Sequence, residues 1–250
     1  MKMNKKIENS LNLLLDTAKT LGAECTTVIA NENTSVNVAA RLGKLENVER
    51  NESSSIGLEI IDHKRKVSLS STNLNEDSLK ELANNAMNMV KSIPVDEYCG
   101  LADKEMLYNG NLDLNLVDNY VPENNDLLDN SIEAEESALN INGITNSEGA
   151  SSSYSKNKFY LATSEGFFNT SDKTNYSTGI SVIAGQGTKM ERDYEYQSKV
   201  HHSDLDTPIQ IGEKAAERAI SRLNPKKVKS NSVPVIFDPR VSGSLLSLFI

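Results

Sequence analysis

Between residues 25 and 70 the chain offers only short apolar runs, and at Val36 and Val38 apolar side chains alternate with polar ones. A period of two lines up one side of a strand, so this stretch is restricted to an antiparallel sheet with one wet face. The β-like runs are 25–30, 35–41, 45–49, 56–61 and 66–70, with breaks expected at Asn31-Glu32-Asn33, at Gly43 and at Asp62-His63. Leu45 and Val48 keep the alternation less regularly.

Helical spacing brackets these runs. Ile7, Leu11, Leu14, Leu15, Ala18 and Leu21 share one face of a first helix, which Gly22 closes at the position a C-cap prefers. A second helix is expected after Asn75, with Leu74 and Leu79 as a hydrophobic staple and Glu76 and Asp77 at its positive end. Its stripe is Leu79, Leu82, Ala83, Ala86, Met89, Val90 and Ile93, and Pro94 stops it. Helix, sheet and helix together bury one sheet face, which gives an N-terminal α+β domain over 1–94. Residues 95–125 are rich in Asn, Asp and Glu; only Leu112, Leu114 and Leu116 alternate, so a connecting segment with one short strand is expected.

A third helix, over about 126–140, turns Leu127, Leu128, Ile132 and Leu139 inward and places Glu133, Glu135 and Glu136 elsewhere. Close carboxylates can do acid–base work or hold a hard cation, but no Asp-x-Asp loop, Gly turn or His accompanies these, and a solvated face is the expectation. A strand-rich middle region, running to 232, then carries an internal echo: Ser147-Glu148-Gly149 and Ser164-Glu165-Gly166, both read as hairpin or loop tips. G-x-S-x-G does not occur, so there is no nucleophile elbow. Gly185-Gln186-Gly187 lacks a third glycine and a following helix, so it is no nucleotide loop. Residues 190–194 read as a further strand, with Glu191, Arg192, Asp193, Tyr194 and Tyr196 suiting either cross-strand charge pairs or a subunit or peptide contact. His201 and His202, as neighbours on a strand, would face opposite sides, and His63 stands far away, so no self-contained zinc site is expected.

Composition narrows the function classes. With 26 basic and 35 acidic residues the net charge is -9, which argues against direct binding to nucleic acid or anionic membrane. The basic Met1-Lys2-Met3-Asn4-Lys5-Lys6 start is interrupted by Glu8, Asn9, Ser10, Asn12 and Asp16, so no export signal or membrane span is expected. Cys25 and Cys99 fit neither a C-x-x-C motif nor a disulfide framework, as in a cytoplasmic protein with reduced thiols.

Towards the end, Ile211, Ala215, Ala219 and Leu223 mark a helix face closed by Pro225 and followed by Lys226 and Lys227. Residues 233–237 read as a buried strand, Asp238-Pro239 as a turn, and 242–250 as the apolar opening of a helix. The succession G-x-x-A-A-x-x-A, L-x-P-K-K and P-V-x-F-x-P resembles the TldD/TldE (PmbA) family of bacterial metallopeptidase proteins. The resemblance extends back through Ser164-Glu165-Gly166-Phe167, Met190-Glu191-Arg192-Asp193, the Glu135-Glu136 helix and Val48-Glu49.

That resemblance implies two kinds of subunit. In the TldD-like kind, Leu-Leu after this strand leads into H-E-x-x-x-H, whose histidines bind zinc while the Glu acts as general base. Here Leu245 and Leu246 fall on the Leu-Leu pair, Ser247 on the first His and Leu248 on the Glu, so ligand and base are both replaced. The implied protein is the zinc-free, TldE-like subunit, with no catalytic, cofactor or metal residue of its own. Zinc is expected in a TldD-like partner, unstructured peptides as substrates of the complex, and the cytoplasm as location. Residues 233–250 are expected to open a C-terminal domain that the chain lacks. The alternatives are a stand-alone peptide-binding module that works by strand addition, or the remnant of a split reading frame, whose apolar end would be left uncovered.

Overall fold

The computed structural model describes residues 5–108, 110 and 113–249. Leu112 and Ile250 lie outside the described residues. One six-stranded antiparallel sheet, in the order β3-β2-β1-β4-β5-β6, organises the chain. Its strands are β1 (Cys25–Arg41), β2 (Lys44–Asp62), β3 (Arg65–Ser71), β4 (Ile144–Thr163), β5 (Phe168–Ala184) and β6 (Glu191–Lys199). The helices are α1 (Lys5–Thr20), α2 (Glu76–Val90), α3 (Asn124–Leu139), α4 (Pro208–Ser221) and α5 (Pro239–Leu246). The α+β class and the helix-flanked antiparallel sheet agree with the sequence.

The helices cover one side of the sheet in two pairs. On β1 the buried positions Thr26, Val28, Ala30, Val36, Val38 and Ala40 are all even-numbered and therefore share one face. Under α1 and α2, Val28, Ala30, Ile56, Leu58, Ile60 and Tyr160 pack with Leu11, Leu14, Leu79 and Ala83. Under α3 and α4, Ala150, Ile180, Val182 and Ala184 pack with Ala134, Ala138, Ile211, Ala215 and Ala219. Where the second pair meets, the buried residues are mostly small, Ala134, Ala138, Gly212, Ala215, Ala216 and Ala219, so these helices sit close to the sheet and to each other.

Several expectations needed correction. β1 runs unbroken through Asn31-Glu32-Asn33, and β2 joins the 45–49 and 56–61 runs into one strand. Asn31 and Asn33 have low strand preference, but each is paired on both sides, with Ser55 and Ser53 on β2 and Phe159 and Asn157 on β4; ladder formation overrides local propensity. Ser147-Glu148-Gly149 is no hairpin tip: it lies inside β4 at register shifts against β5, with Gly149 at φ +106° and a Cβ there only 3.0 Å from the Ala40 carbonyl. Ser164-Glu165-Gly166 does form the β4–β5 turn.

α3 begins two residues before Asp126 because Asp126 is the third residue of a capping box, accepting from the Glu123 N–H at 2.8 Å. Its buried face is Leu127, Ser131, Ala134, Glu135 and Ala138, so Ile132 and Leu139 are only half-buried, and Glu135 is not on a solvated face. Residues 233–237 form no strand: Val233, Val235, Ile236 and Phe237 are exposed, and no neighbouring strand pairs with them among the described residues. Nor does the described part of 95–125 contain a strand. It crosses the sheet as a strap instead: the Asp96 N–H donates to the Lys64 carbonyl at 2.7 Å, and the Thr174 N–H donates to the Leu116 carbonyl at 3.0 Å.

Candidate functional site

The side of the sheet opposite the helices is open, and its central floor is made of small, uncharged polar side chains. On β1 these are Asn31, Asn33, Ser35 and Asn37; on β4, Ser151, Ser153, Ser155 and Asn157, all half-buried. Alternation places them on one face, while Glu32 and Lys156 turn to the helix side. The Ser153 and Ser177 hydroxyls bond each other at 2.8 Å, so these serines meet a hydroxyl and not a histidine or carboxylate. The floor can exchange hydrogen bonds with an extended chain, but it holds no nucleophile–base pair.

Apolar and aromatic groups bound the floor at its two ends. At one, Phe159, Leu161, Phe167, Tyr108 and Leu114 surround a cavity of about 280 Å³. At the other, Ala39, Ser151, Gly179, Ser181, Tyr194 and Tyr196 line a shallower hollow of about 510 Å³. Tyr194 and Tyr196 stack with ring centroids 6.4 Å apart, and a Cβ on Gly179 would come within 2.8 Å of the Tyr196 Cβ. Beside this hollow Glu148 accepts from the Ser181 hydroxyl at 2.9 Å and from Arg192 at 2.8 Å. The serine hydrogen bond, followed by the arginine, holds the Glu148 carboxyl below the usual range against the opposing effect of burial. Arg192 therefore makes a charge pair that reaches from β6 over β5 to β4, one of the two roles the sequence allowed.

The histidines do not converge. Both follow β6: His201 Nε2 lies 2.7 Å from the Asn115 carbonyl, and His202 packs its ring on Tyr120 at 4.7 Å and on Tyr176 at 5.5 Å. Asp118 caps this corner, accepting from the His202 N–H at 2.8 Å, and the Tyr176 hydroxyl donates to the Tyr120 carbonyl at 2.5 Å. Burial, reinforced by the Asp118 charge, pushes the Tyr176 phenol above its ordinary range, so it stays a donor. The cluster pins the end of the strap, around Asp118 and Tyr120, to the helix side of the sheet.

Sequence reasoning missed two groupings. Glu24, Asp62 and His63 meet at the β2–β3 turn, where His63 Nδ1 lies 3.2 Å from Asp62 and the His63 N–H donates to Glu24 at 2.9 Å. Their ligand atoms lie within 4.8 Å of one another, but two of the three residues are exposed. Glu24 is four residues beyond the end of α1, and nothing in its spacing announces the meeting. Glu135, the second, is fully buried: its Oε2 accepts the Gly43 N–H at 2.8 Å and its Oε1 has no partner. Glu135→Ala removes the acceptor of the Gly43 N–H and leaves a cavity beside α3. It is expected to lower stability by about 1–3 kcal/mol, read by urea unfolding; no loss would mean that the Gly43 amide finds water in its place.

The fold and its floor define a class: an α+β protein with one helix-sheathed antiparallel sheet and an unsheathed polar face. Within it, residues 27–90 match domain 1, and residues 121–223 the central domain, of the PmbA/TldA metallopeptidases. The chain belongs to the PmbA/TldD metallopeptidase family. It is 32% identical over 244 residues to metalloprotease PmbA of Escherichia coli O157:H7, covering 96% of this chain and 54% of that protein. It is 30% identical over 247 residues to a PmbA homologue of Haemophilus influenzae, covering 98% and 54%. A crystal structure from Bacteroides thetaiotaomicron, described as a candidate modulator of DNA gyrase, superposes with TM-score 0.88 at 25% identity over 100% of this chain and 57% of that one. TldE from Thermococcus kodakarensis shares the fold, with TM-score 0.68 at 12% identity over 84% and 47%. The chain thus spans about half the length of the curated relatives it matches. No helix among the described residues is long and apolar enough to cross a membrane.

Proposed function

We propose that this chain is part of a TldE-like, zinc-free subunit of a cytoplasmic metallopeptidase complex, and that its open sheet face forms a wall along which an unstructured peptide passes. The observation that carries the reading is the floor itself. Asn31, Asn33, Ser35 and Asn37 on β1 and Ser151, Ser153, Ser155 and Asn157 on β4 offer uncharged hydrogen-bonding groups of ordinary strength along the centre of the floor, while charges such as Glu49 and Lys173 stand on the flanking strands. The aromatic hollow at Tyr194 and Tyr196 and the apolar one at Phe159 and Leu161 would take larger side chains in passing.

The zinc chemistry is assigned to a TldD-like partner, whose metal would polarise the scissile carbonyl and activate water. Ser247 and Leu248, at the positions the resemblance gives to a ligand and a base, support that assignment. The test is to purify the chain with a TldD-like subunit and measure stoichiometry, zinc content and cleavage of an unstructured peptide. A one-to-one complex that cleaves, with zinc on the partner alone, is the expected result. Stoichiometric zinc on this chain, or failure to pair, would sink the reading.

A further inference from the structure

The hollow beside Tyr194 and Tyr196 has a chemistry of its own, and it begins with what the floor leaves out. Ala39, Gly149, Ser151 and Gly179 lie under it, and all four are small. The two glycines are there for different reasons. Gly149 sits at φ +106° in the irregular part of β4, where L side chains are strained, and a Cβ on Gly179 would press on the Tyr196 Cβ at 2.8 Å. A space of about 510 Å³ is thereby kept open above the sheet.

Acids stand on one side of this space and aromatic rings on the other. Glu46 is the extra residue of a bulge, because β1 pairs Ala39 with Asn47 and Ala40 with Leu45. Its carboxylate reaches across β1 toward β4, with Oε2 3.8 Å from the place of a Gly149 Cβ. Glu148 flanks the same glycine. Across the floor stand Tyr194 and Tyr196, 41% and 61% exposed. Glu195, tied to Arg218, also borders the hollow, whereas no lysine or arginine lines it. Arg192 meets Glu148 from the rim and Arg41 acts on it from further off, but Glu46 has no hydrogen bond or ion pair among the described residues.

That combination selects its occupant by charge. An apolar side chain would strip water from the Glu46 and Glu148 carboxylates and return nothing, and an acidic one would be repelled. A cation gains on both sides, from the carboxylates and from the face of a tyrosine ring, while its methylene stem lies along the small floor. The chain already sets one guanidinium on this aromatic pair: Arg240 lies over Tyr194, 5.2 Å from the ring centroid. Tyr196, the more exposed of the two, is the ring left for a ligand.

We infer that this hollow is a subsite for a lysine or arginine side chain of the passing peptide, with Glu46 and Glu148 as counter-charges and Tyr196 as the ring against the cation. The inference rests on the reading of the open face as a peptide wall and adds a preference to it: the centre of the floor is indifferent to sequence, and this end is not. Glu148, held below the usual carboxylate range by Ser181 and then Arg192, is charged at neutral pH.

The test is binding of end-blocked, unstructured peptides of Gly, Ser and Asn, about ten residues long so as to span the floor, to the 250-residue chain. Each carries one central Lys, Arg, norleucine or Glu, and anisotropy of an uncharged fluorophore reads the affinity. The Lys and Arg peptides are expected to bind about tenfold tighter than the norleucine peptide, which keeps the lysine stem without its charge, and the Glu peptide weakest. High salt should shrink the advantage. Glu46→Gln, at an exposed position that leaves the core untouched, should reduce it about threefold while the norleucine peptide binds as before. Tyr196→Leu should reduce it by a similar factor. An advantage that Glu46→Gln leaves intact places the cation outside the hollow and overturns the inference. Equal binding of the Lys and norleucine peptides overturns it as well and leaves the wall standing, whereas binding by none of the peptides removes the wall and the subsite together.

Discussion

Gly212→Leu is expected to abolish the docking of α4 on α3 and to destabilise the chain by about 3 kcal/mol or more, within or above the range for overpacked cores. A Cβ at residue 212 would lie 2.2 Å from the Ala134 carbonyl oxygen and 2.1 Å from the Ser137 Oγ. The hydroxyl could rotate away; the backbone carbonyl, inside a helix, could not. The close approach follows from the alanines on both sides, Ala134 and Ala138 facing Ala215 and Ala216. Ser137 ties the same crossing, donating to Ala134 at 2.9 Å and to the Ile209 carbonyl at 3.3 Å. Gly212→Ala asks for the same space with less bulk and should cost about 1–3 kcal/mol. Urea denaturation followed by circular dichroism measures both. A leucine variant as stable as the parent would mean that the two helices do not meet as closely as described.

That crossing also marks what could be read from sequence. The spacing of Ile211, Ala215 and Ala219 gives the inward face of α4 directly, because helical period and burial report the same fact. The glycine's reason is tertiary and leaves no mark on spacing. The same division holds elsewhere. Gly43 and His63 end their strands as expected, since a turn with positive φ is a local matter. Asn31-Glu32-Asn33 looked like a break because its strand character comes from two neighbouring strands, one of them more than a hundred residues away. Glu135 read as solvated because three acids in four residues ordinarily are; that one of them reaches the Gly43 amide is decided by how α3 lies over the β1–β2 hairpin. The open floor was partly legible: one wet face was expected, but the serines of β4 join it only through the β1–β4 pairing.

Asp193→Ala is expected to cost about 2–3 kcal/mol at neutral pH, from the loss of charge-assisted hydrogen bonds at a buried carboxylate. Asp193 is 6% exposed on β6 and receives Arg222 at 3.2 Å, Arg240 at 2.9 Å and the Tyr194 N–H at 2.8 Å. It therefore ties the end of α4 and the start of α5 to one strand, and Arg240 also lies over the Tyr194 ring at 5.2 Å. Burial alone would raise the Asp193 pKa, but the Tyr194 N–H with Arg240 and Arg222 outweighs it, and the carboxyl sits below its ordinary value. The sign follows. A depressed folded pKa gives stability that is present above the unfolded value of about 4 and is lost as pH falls through the folded one. Asp206, lowered chiefly by Lys214, and Glu148 act in the same direction. The parent should therefore lose stability steeply below about pH 4, while Asp193→Ala loses less, so the gap between them narrows on acidification. Urea midpoints at neutral pH and near pH 3 measure that gap; a constant difference would mean that Asp193 matters for its packing and not for its charge.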